Sequence, residues 1–276
     1  MSKAVEIKNL TYKFPEHETP ALKNIELSIP WNTRTLLIGC NGAGKSTLLR
    51  LISGKHLCLN GNILVNGLDP FSPTSMDVSG EEECQNTTYL GTEWCHMNII
   101  NRDIGILELL NSIGYQHFKE RGDKLIDMLS VDLTWRMHRL SDGQKRRVQL
   151  IMGLLKPWRV LLLDEVTVDL DVIARSKLLD FLKWETETRK CSVIYATHIF
   201  DGLAEWPNYV IHINGGEIVQ RLDYAKDVSF SSDDNKKTKK AVTTGNTPGS
   251  VSICKVDSLH PLALAWLRGD IGEATD

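Results

Sequence analysis

The chain has 276 residues, 24% of them charged, and a net charge of only −3 at pH 7. That length allows one large core, or one core with a subdomain, and the near-neutral balance excludes bulk electrostatic attraction to nucleic acid. The cysteines form no CxxC pair or metal-ligand spacing, no apolar run nears the roughly 18 residues of a membrane span, and MSKAVEIKNL contains no apolar signal stretch. A soluble protein of the cytoplasm, with the nucleus as a second compartment, is expected.

Strand-like runs open the chain: VEIKNL, LKNIELSIP and TRTLLIG. KSTLLRLISG then reads as a helix stopped by Gly54. GNILVNG and TTYLG are strand-like, separated by a polar excursion over residues 69–86. From about residue 104 to 158 the pattern is helical, ending in a helix that starts within LSDGQKRRVQL. RVLLLDE is a buried strand, VIARSKLLDFLKWETE a helix and SVIYATH another strand, and NYVIHINGGEIVQRL closes as a hairpin turning at Asn214, Gly215 and Gly216. Strands alternating with helices predict a largely parallel α/β sheet with an antiparallel portion and a helical insertion. The expected units are a main domain over residues 1–225 with a helical subdomain at about 93–158, a flexible polar linker over 226–250, and a C-terminal segment over 251–276 carrying a short helix.

Residues 39–47, GCNGAGKST, match the phosphate loop G-x-x-x-x-G-K-S/T between a strand and a helix. Gly39, Asn41, Gly42, Ala43 and Gly44 let successive N–H groups face a phosphate, with Lys45 as a point charge and the hydroxyl of Ser46, followed by Thr47, available to Mg²⁺. With glycine near 7% of residues, a chance match is on the order of one in a hundred. RVLLLDE carries Asp164 to a strand end, where it can hold the metal, and Glu165 next to it can act as general base. Ser141 and Gln144 fit a capping box at a helix start, itself an anion site.

Phosphate loop, LSDGQ, LLLDE, VDLD and Thr197-His198 follow in an order that resembles the ABC-type ATPase domain over roughly residues 4–222. The likeness implies a P-loop nucleotide-hydrolase fold in which two domains close head to tail over two ATP molecules. It implies that Ser141 and Gly143, with Gln144 in the same motif, reach the phosphate held by the opposite subunit. His198 would contact the γ-phosphate in cis, Asp171 would lie at the seam, and Phe14 would stack on adenine, with Tyr12 as the other candidate. A core aromatic is an equally good reading of Phe14.

Three departures stand out. LSGGQ reads LSDGQ through Asp142, EPTSGLD reads EVTVDLD with Val166 in place of Pro and Asp169 in place of Gly, and Thr92-Glu93 stand where a glutamine is expected. A carboxylate aimed at phosphate from about 4 Å would cost about 4 kcal/mol at an effective dielectric near 20, whereas turned aside in a first helical turn it favours the dipole by about 0.3–1 kcal/mol. Asp142 is expected to turn aside. The missing glutamine weakens a transporter reading, and the pattern resembles soluble single-domain ABC ATPases of fungi and plants. The expected function is a Mg-dependent ATPase whose homodimerisation acts as a switch on a regulatory protein complex in gene expression. A transporter's detached ATPase subunit and an ATP-gated adaptor with negligible hydrolysis are the competing readings. The basic run at 236–240 is read as solvated, so no nucleic-acid surface is expected, and Trp94 and Trp135 are read as packing residues.

Overall fold

The computed structural model describes residues 2–58, 60–71, 87–92, 102–231, 242–244, 251–254 and 258–270. Most of the polar excursion, Glu93, Trp94 and the basic run at 236–240 lie outside the described residues.

A six-stranded sheet forms the centre. Its members are β3 (Arg34–Ile38), β5 (Thr87–Leu90), β6 (Val160–Asp164), β7 (Ser192–Ala196), β8 (Tyr209–Asn214) and β9 (Glu217–Asp223), in the order β5-β6-β7-β3-β8-β9. Pairing is parallel from β5 to β8, and β9 returns antiparallel through the turn at Gly215 and Gly216. A second sheet of β1 (Val5–Tyr12), β2 (Leu22–Ile29) and β4 (Asn62–Val65) is antiparallel, with β1 central. Among the described residues, these sheets are accompanied up to β9 by the α-helices α1 (Lys45–Ile52), α2 (Ile106–Ser112), α3 (Lys119–Leu129), α4 (Asp142–Leu155) and α5 (Val172–Thr188). Helices α2 to α4 enter between β5 and β6. This is the expected mixed α/β architecture.

Period-2 alternation explains how one apolar strand serves two cores. All of β6 is buried: Leu161 and Leu163 join one cluster with α4 and α5, while Val160 and Leu162 join another with α1, β1 and β2. In α4, Val148, Ile151, Leu154 and Leu155 recur at helical spacing and are buried in the first cluster, with Trp135 half-buried against it.

Beyond β9 the chain forms α6 (Tyr224–Asp227), then β10 (Val228–Ser231), β11 (Val242–Thr244) and β12 (Val251–Cys254), which pair as β10-β12-β11, and finally α7 (His260–Asp270). The stretch read as a linker from its polar composition thus carries two short strands, because backbone pairing to β12 does not need large apolar side chains. Among the described residues no helix is long and apolar enough to cross a membrane.

Candidate functional site

The loop between β3 and α1 is shaped by steric necessity. A Cβ at Gly39 would lie 2.2 Å from the Ile213 carbonyl oxygen, and one at Gly44 would lie 2.7 Å from Leu22 Cδ2. Gly44 also has φ 106°, a left-handed conformation that glycine adopts without strain. Lys45 Nζ donates to the carbonyls of Gly39 at 2.7 Å and Cys40 at 3.0 Å, so the ammonium is turned onto its own loop. Burial lowers its pKa, opposed by the charges of Glu165 and Asp164.

Across from the loop, Ser46 Oγ donates to Asp164 Oδ1 at 3.0 Å, and the Tyr89 hydroxyl donates to Oδ2 at 2.9 Å. Tyr89 went unmarked in the sequence, where it is one residue of an ordinary strand. A Cβ at Gly91 would lie 2.7 Å from the Tyr89 oxygen, so glycine there leaves the hydroxyl room to reach Asp164. Burial and the Asp164 charge raise the Tyr89 pKa, keeping it a donor. Among the described residues no group of three or more His, Cys, Asp or Glu could hold a metal unaided. Ser46 with Asp164 nevertheless fits Mg²⁺, which takes one or two protein oxygens and fills its octahedron with phosphate oxygens and water.

Glu165 follows β6 with φ 55°, in the left-handed region, fixed by its N–H donating to the Ala196 carbonyl at 3.0 Å. Its Oε2 accepts the His198 backbone N–H at 3.2 Å. His198 Nε2 stands 3.2 Å from Oε1 without hydrogen-bond alignment, leaving that buried oxygen without a donor. Burial pushes the Glu165 carboxyl up to about 7, against the pull of the His198 N–H and the Lys45 charge. Burial and Lys45 together lower the pKa of His198. A carboxyl held near neutrality beside a lysine and a histidine is one that can take up and release a proton. Were Glu165 to accept a proton in a hydrolysis at this site it would have to be ionised first, so kcat/KM would then be expected to rise with pH through a midpoint near 7. A rate profile flat between about pH 6 and 8.5 would exclude Glu165 as the group that accepts the proton.

A cavity of about 610 Å³ opens over part of this group, with Gly39 and Asp164 outside its lining. Its wall includes Asn41, Gly42, Gly44, Lys45, Ser46, Thr47, Glu165 and His198, while Ala43 is buried in the core. Phe14 is on the wall, in edge contact with Tyr12 at 5.0 Å, whereas Tyr12 packs against the core. His17, Lys23 and Gly216 also line it and were not singled out from sequence. The hairpin's Asn-Gly-Gly turn was visible there as a turn and nothing more. A larger cleft of about 920 Å³, between α5 and the segment after His198, is lined by none of the expected site residues.

Ser141, Gly143 and Gln144 are not on this wall; they sit at the start of α4. Gln144 N–H donates to Ser141 Oγ at 3.3 Å and Ser141 N–H donates to Gln144 Oε1 at 3.0 Å, completing the capping box. Asp142 is exposed in the first turn. A Cβ at Gly143 would lie 2.8 Å from the Asp169 carbonyl oxygen, so that glycine admits the neighbouring loop. Asp169 is held in turn by Arg146 at 3.3 Å, and Arg146 and Gln149 both donate to the Gly91 carbonyl, at 3.0 and 2.9 Å. One guanidinium therefore fastens the α4 start, the end of β5 and the 165–171 loop. Arg147 pairs with Asp171, which also caps α5 by accepting from the Ala174 N–H at 2.9 Å.

A phosphate loop closing β3, an acidic pair ending β6, a histidine after β7 and a capped helix at the far end of an inserted helical layer define an ATP-binding cassette. The chain belongs to the ABC transporter family, whose model matches residues 22–168. It is 67% identical over 274 residues to CCR4-associated factor 16 of Saccharomyces cerevisiae, covering 97% of this chain and 95% of that protein. It is 41% identical over 240 residues to ABC transporter I family member 21 of Arabidopsis thaliana, covering 83% and 82%. Among solved structures it superposes on the ATP-binding cassette MJ0796, in a dimeric post-hydrolysis state bound to ADP and Pi, with TM-score 0.63, 21% identity and coverage of 79% and 98%. An ATP-binding subunit of an ABC transporter matches with TM-score 0.65 and 19% identity, covering 80% and 90%. These two likenesses establish the fold.

Proposed function

We propose that the protein is a Mg²⁺-dependent ATPase that works as a head-to-tail homodimer, with each ATP held between the phosphate loop of one copy and the α4 start of the other. The observation that carries this reading is Glu165: a half-buried carboxylate with one undonated oxygen, on the cavity wall beside Lys45 and His198. A structural carboxylate would have its hydrogen bonds filled, whereas a general base keeps one oxygen for the attacking water.

In this mechanism the N–H groups of residues 41–46 and the start of α1 cradle the phosphates, and Lys45 leaves the loop carbonyls for the β- and γ-oxygens. Ser46 and Asp164 would hold Mg²⁺, which would supply neutralisation of phosphate charge. Tyr89 and Ser46 hold the Asp164 carboxylate in one orientation. Glu165 takes the proton of the attacking water, and His198 orients Glu165 through its backbone N–H while its ring faces the γ-phosphate. Phe14 offers a face to adenine. Ser141, Gly143 and Gln144 are proposed to act on the second copy's ATP. They are intact, absent from the cavity of their own chain, and accompanied by an Asp142 that is exposed. Catalysis is then positioning and charge stabilisation, completed on closure.

The output, we propose, is opening and closing of the dimer on a regulatory protein complex of gene expression, in the cytoplasm and nucleus. The name of the yeast relative, CCR4-associated factor 16, supports that choice of partner. Steady-state hydrolysis measured across protein concentrations tests the dimer. The rate per subunit is expected to rise with concentration toward a plateau; a rate per subunit independent of concentration, in a protein monomeric by sedimentation with ATP, overturns it.

A further inference from the structure

Helix α7 belongs to none of the motifs above, yet its two ends reach both catalytic loops. At its start, Leu259 N–H donates to the Phe200 carbonyl at 3.2 Å, and Ser258 forms an isolated antiparallel bridge with Asp201. Phe200 lies two residues after His198. Leu259, Leu262 and Ala263 are buried in the same core cluster as Phe200 and Leu203. At its other end, Asp270 Oδ2 meets His212 Nε2 at 2.9 Å and accepts from the Cys40 thiol at 3.8 Å. Both Asp270 and His212 are almost fully buried, and the indole of Trp266 stacks on the His212 ring at 4.8 Å between centroids and 5° between planes.

Cys40 is the second residue of the phosphate loop, and its carbonyl is one of the two that hold Lys45. The loop has no slack on that side. His212 pairs in register with Ile38, and Gly39 presses on the Ile213 carbonyl. Asp270 therefore closes a path from the end of α7, through Cys40, to the lysine ammonium. Eleven helical residues span about 16 Å, enough for one helix to brace two loops at once.

We propose that α7 is a strap that holds the phosphate loop and the loop after His198 in their working shapes, with Asp270 and Trp266 as positioning residues for ATP binding. The proposal rests on the reading that the loop at 39–47 binds ATP. Its physical basis is preorganisation: a loop already ordered by buried contacts loses less conformational freedom when the phosphates dock.

Two measurements on the full chain test this. One is hydrogen exchange of residues 40–45 without nucleotide; the other is the affinity for a fluorescent ATP analogue, together with KM and kcat. Asp270→Ala is expected to speed exchange in the loop, weaken binding and raise KM by about three- to tenfold, the range of one lost hydrogen bond, and leave kcat within about twofold. Asp270→Asn keeps an acceptor and is expected to restore affinity. If Asp270→Ala unfolds the chain by stranding His212, the pair His212→Leu with Asp270→Leu removes both polar partners and is expected to show the same loosening. Unchanged exchange, or unchanged affinity despite faster exchange, overturns the strap. Faster exchange in a chain that fails to bind the analogue even as wild type overturns the ATP reading and, with it, the strap's role in ATP binding, while the brace on the loop stands.

Discussion

Glu165→Gln is expected to reduce ATP hydrolysis by about 10²- to 10⁴-fold, the range for loss of a general base, while ATP still binds. The amide keeps the shape of the side chain and still accepts the His198 N–H through its oxygen, so the left-handed backbone at φ 55° and its bond to Ala196 stay in place. What disappears is the ability to take a proton, together with a charge that burial already disfavours. The variant should therefore bind ATP at least as well as the wild type and accumulate as the closed dimer. Single-turnover hydrolysis with size-exclusion chromatography in ATP checks both halves. A residual rate within fivefold of wild type would assign the proton transfer to another group, with His198 the next to examine.

The largest expected effect on stability lies at Glu185. Its carboxylate is fully buried on α5 and accepts from Arg121 at 2.7 Å through Oε1 and 2.9 Å through Oε2, and Oε2 also accepts from Arg189 Nε at 2.9 Å. Arg121 also donates to the Leu154 carbonyl at 2.7 Å and lies over the Phe181 ring at 5.2 Å. The Arg121–Glu185 pair thus joins α3, α4 and α5. Glu185→Ala leaves Arg121 without its anionic partner and is expected to cost about 3–5 kcal/mol, or roughly 10 °C in melting temperature for a chain of this size. Burial raises the Glu185 carboxyl, but Arg121 and Arg189 outweigh it and hold the pKa below the usual carboxylate range. The stabilisation is therefore fully present above the unfolded-state value and is lost as pH falls through the depressed folded one. Thermal melts of wild type and variant should converge in acid and stay apart at neutral pH. Equal melting temperatures at pH 7 would show that the pair contributes nothing net.

Much of the candidate site was legible in the sequence, because its parts are local. The phosphate loop, the buried strand ending in Asp164 and Glu165, and the capping box at Ser141 each occupy a short stretch whose chemistry can be read without partners. Side chains that meet only through the fold were not legible. Tyr89 reaches Asp164 because β5 and β6 pair in parallel, and nothing in TTYLG signals it. Asp169 stood out as a departure from a family pattern, while Arg146, which holds it, lay unnoticed inside LSDGQKRRVQL. Asp270 and Cys40 are 230 positions apart, and no periodicity links them. Composition misdirects in the polar stretch after β9, since mixed charge and few large apolar groups say little about backbone pairing.

The twisted backbone at Glu165 carries one more consequence. A residue with a Cβ in the left-handed region is strained by about 1–2 kcal/mol, and here the strained residue is also a carboxylate whose charge partial burial disfavours. Glycine at that position would relieve both burdens, so the protein is expected to become sturdier as it loses the proposed chemistry. Durability and turnover thus pull this one residue in opposite directions, and a search for heat-resistant variants that did not also assay hydrolysis would tend to select dead proteins.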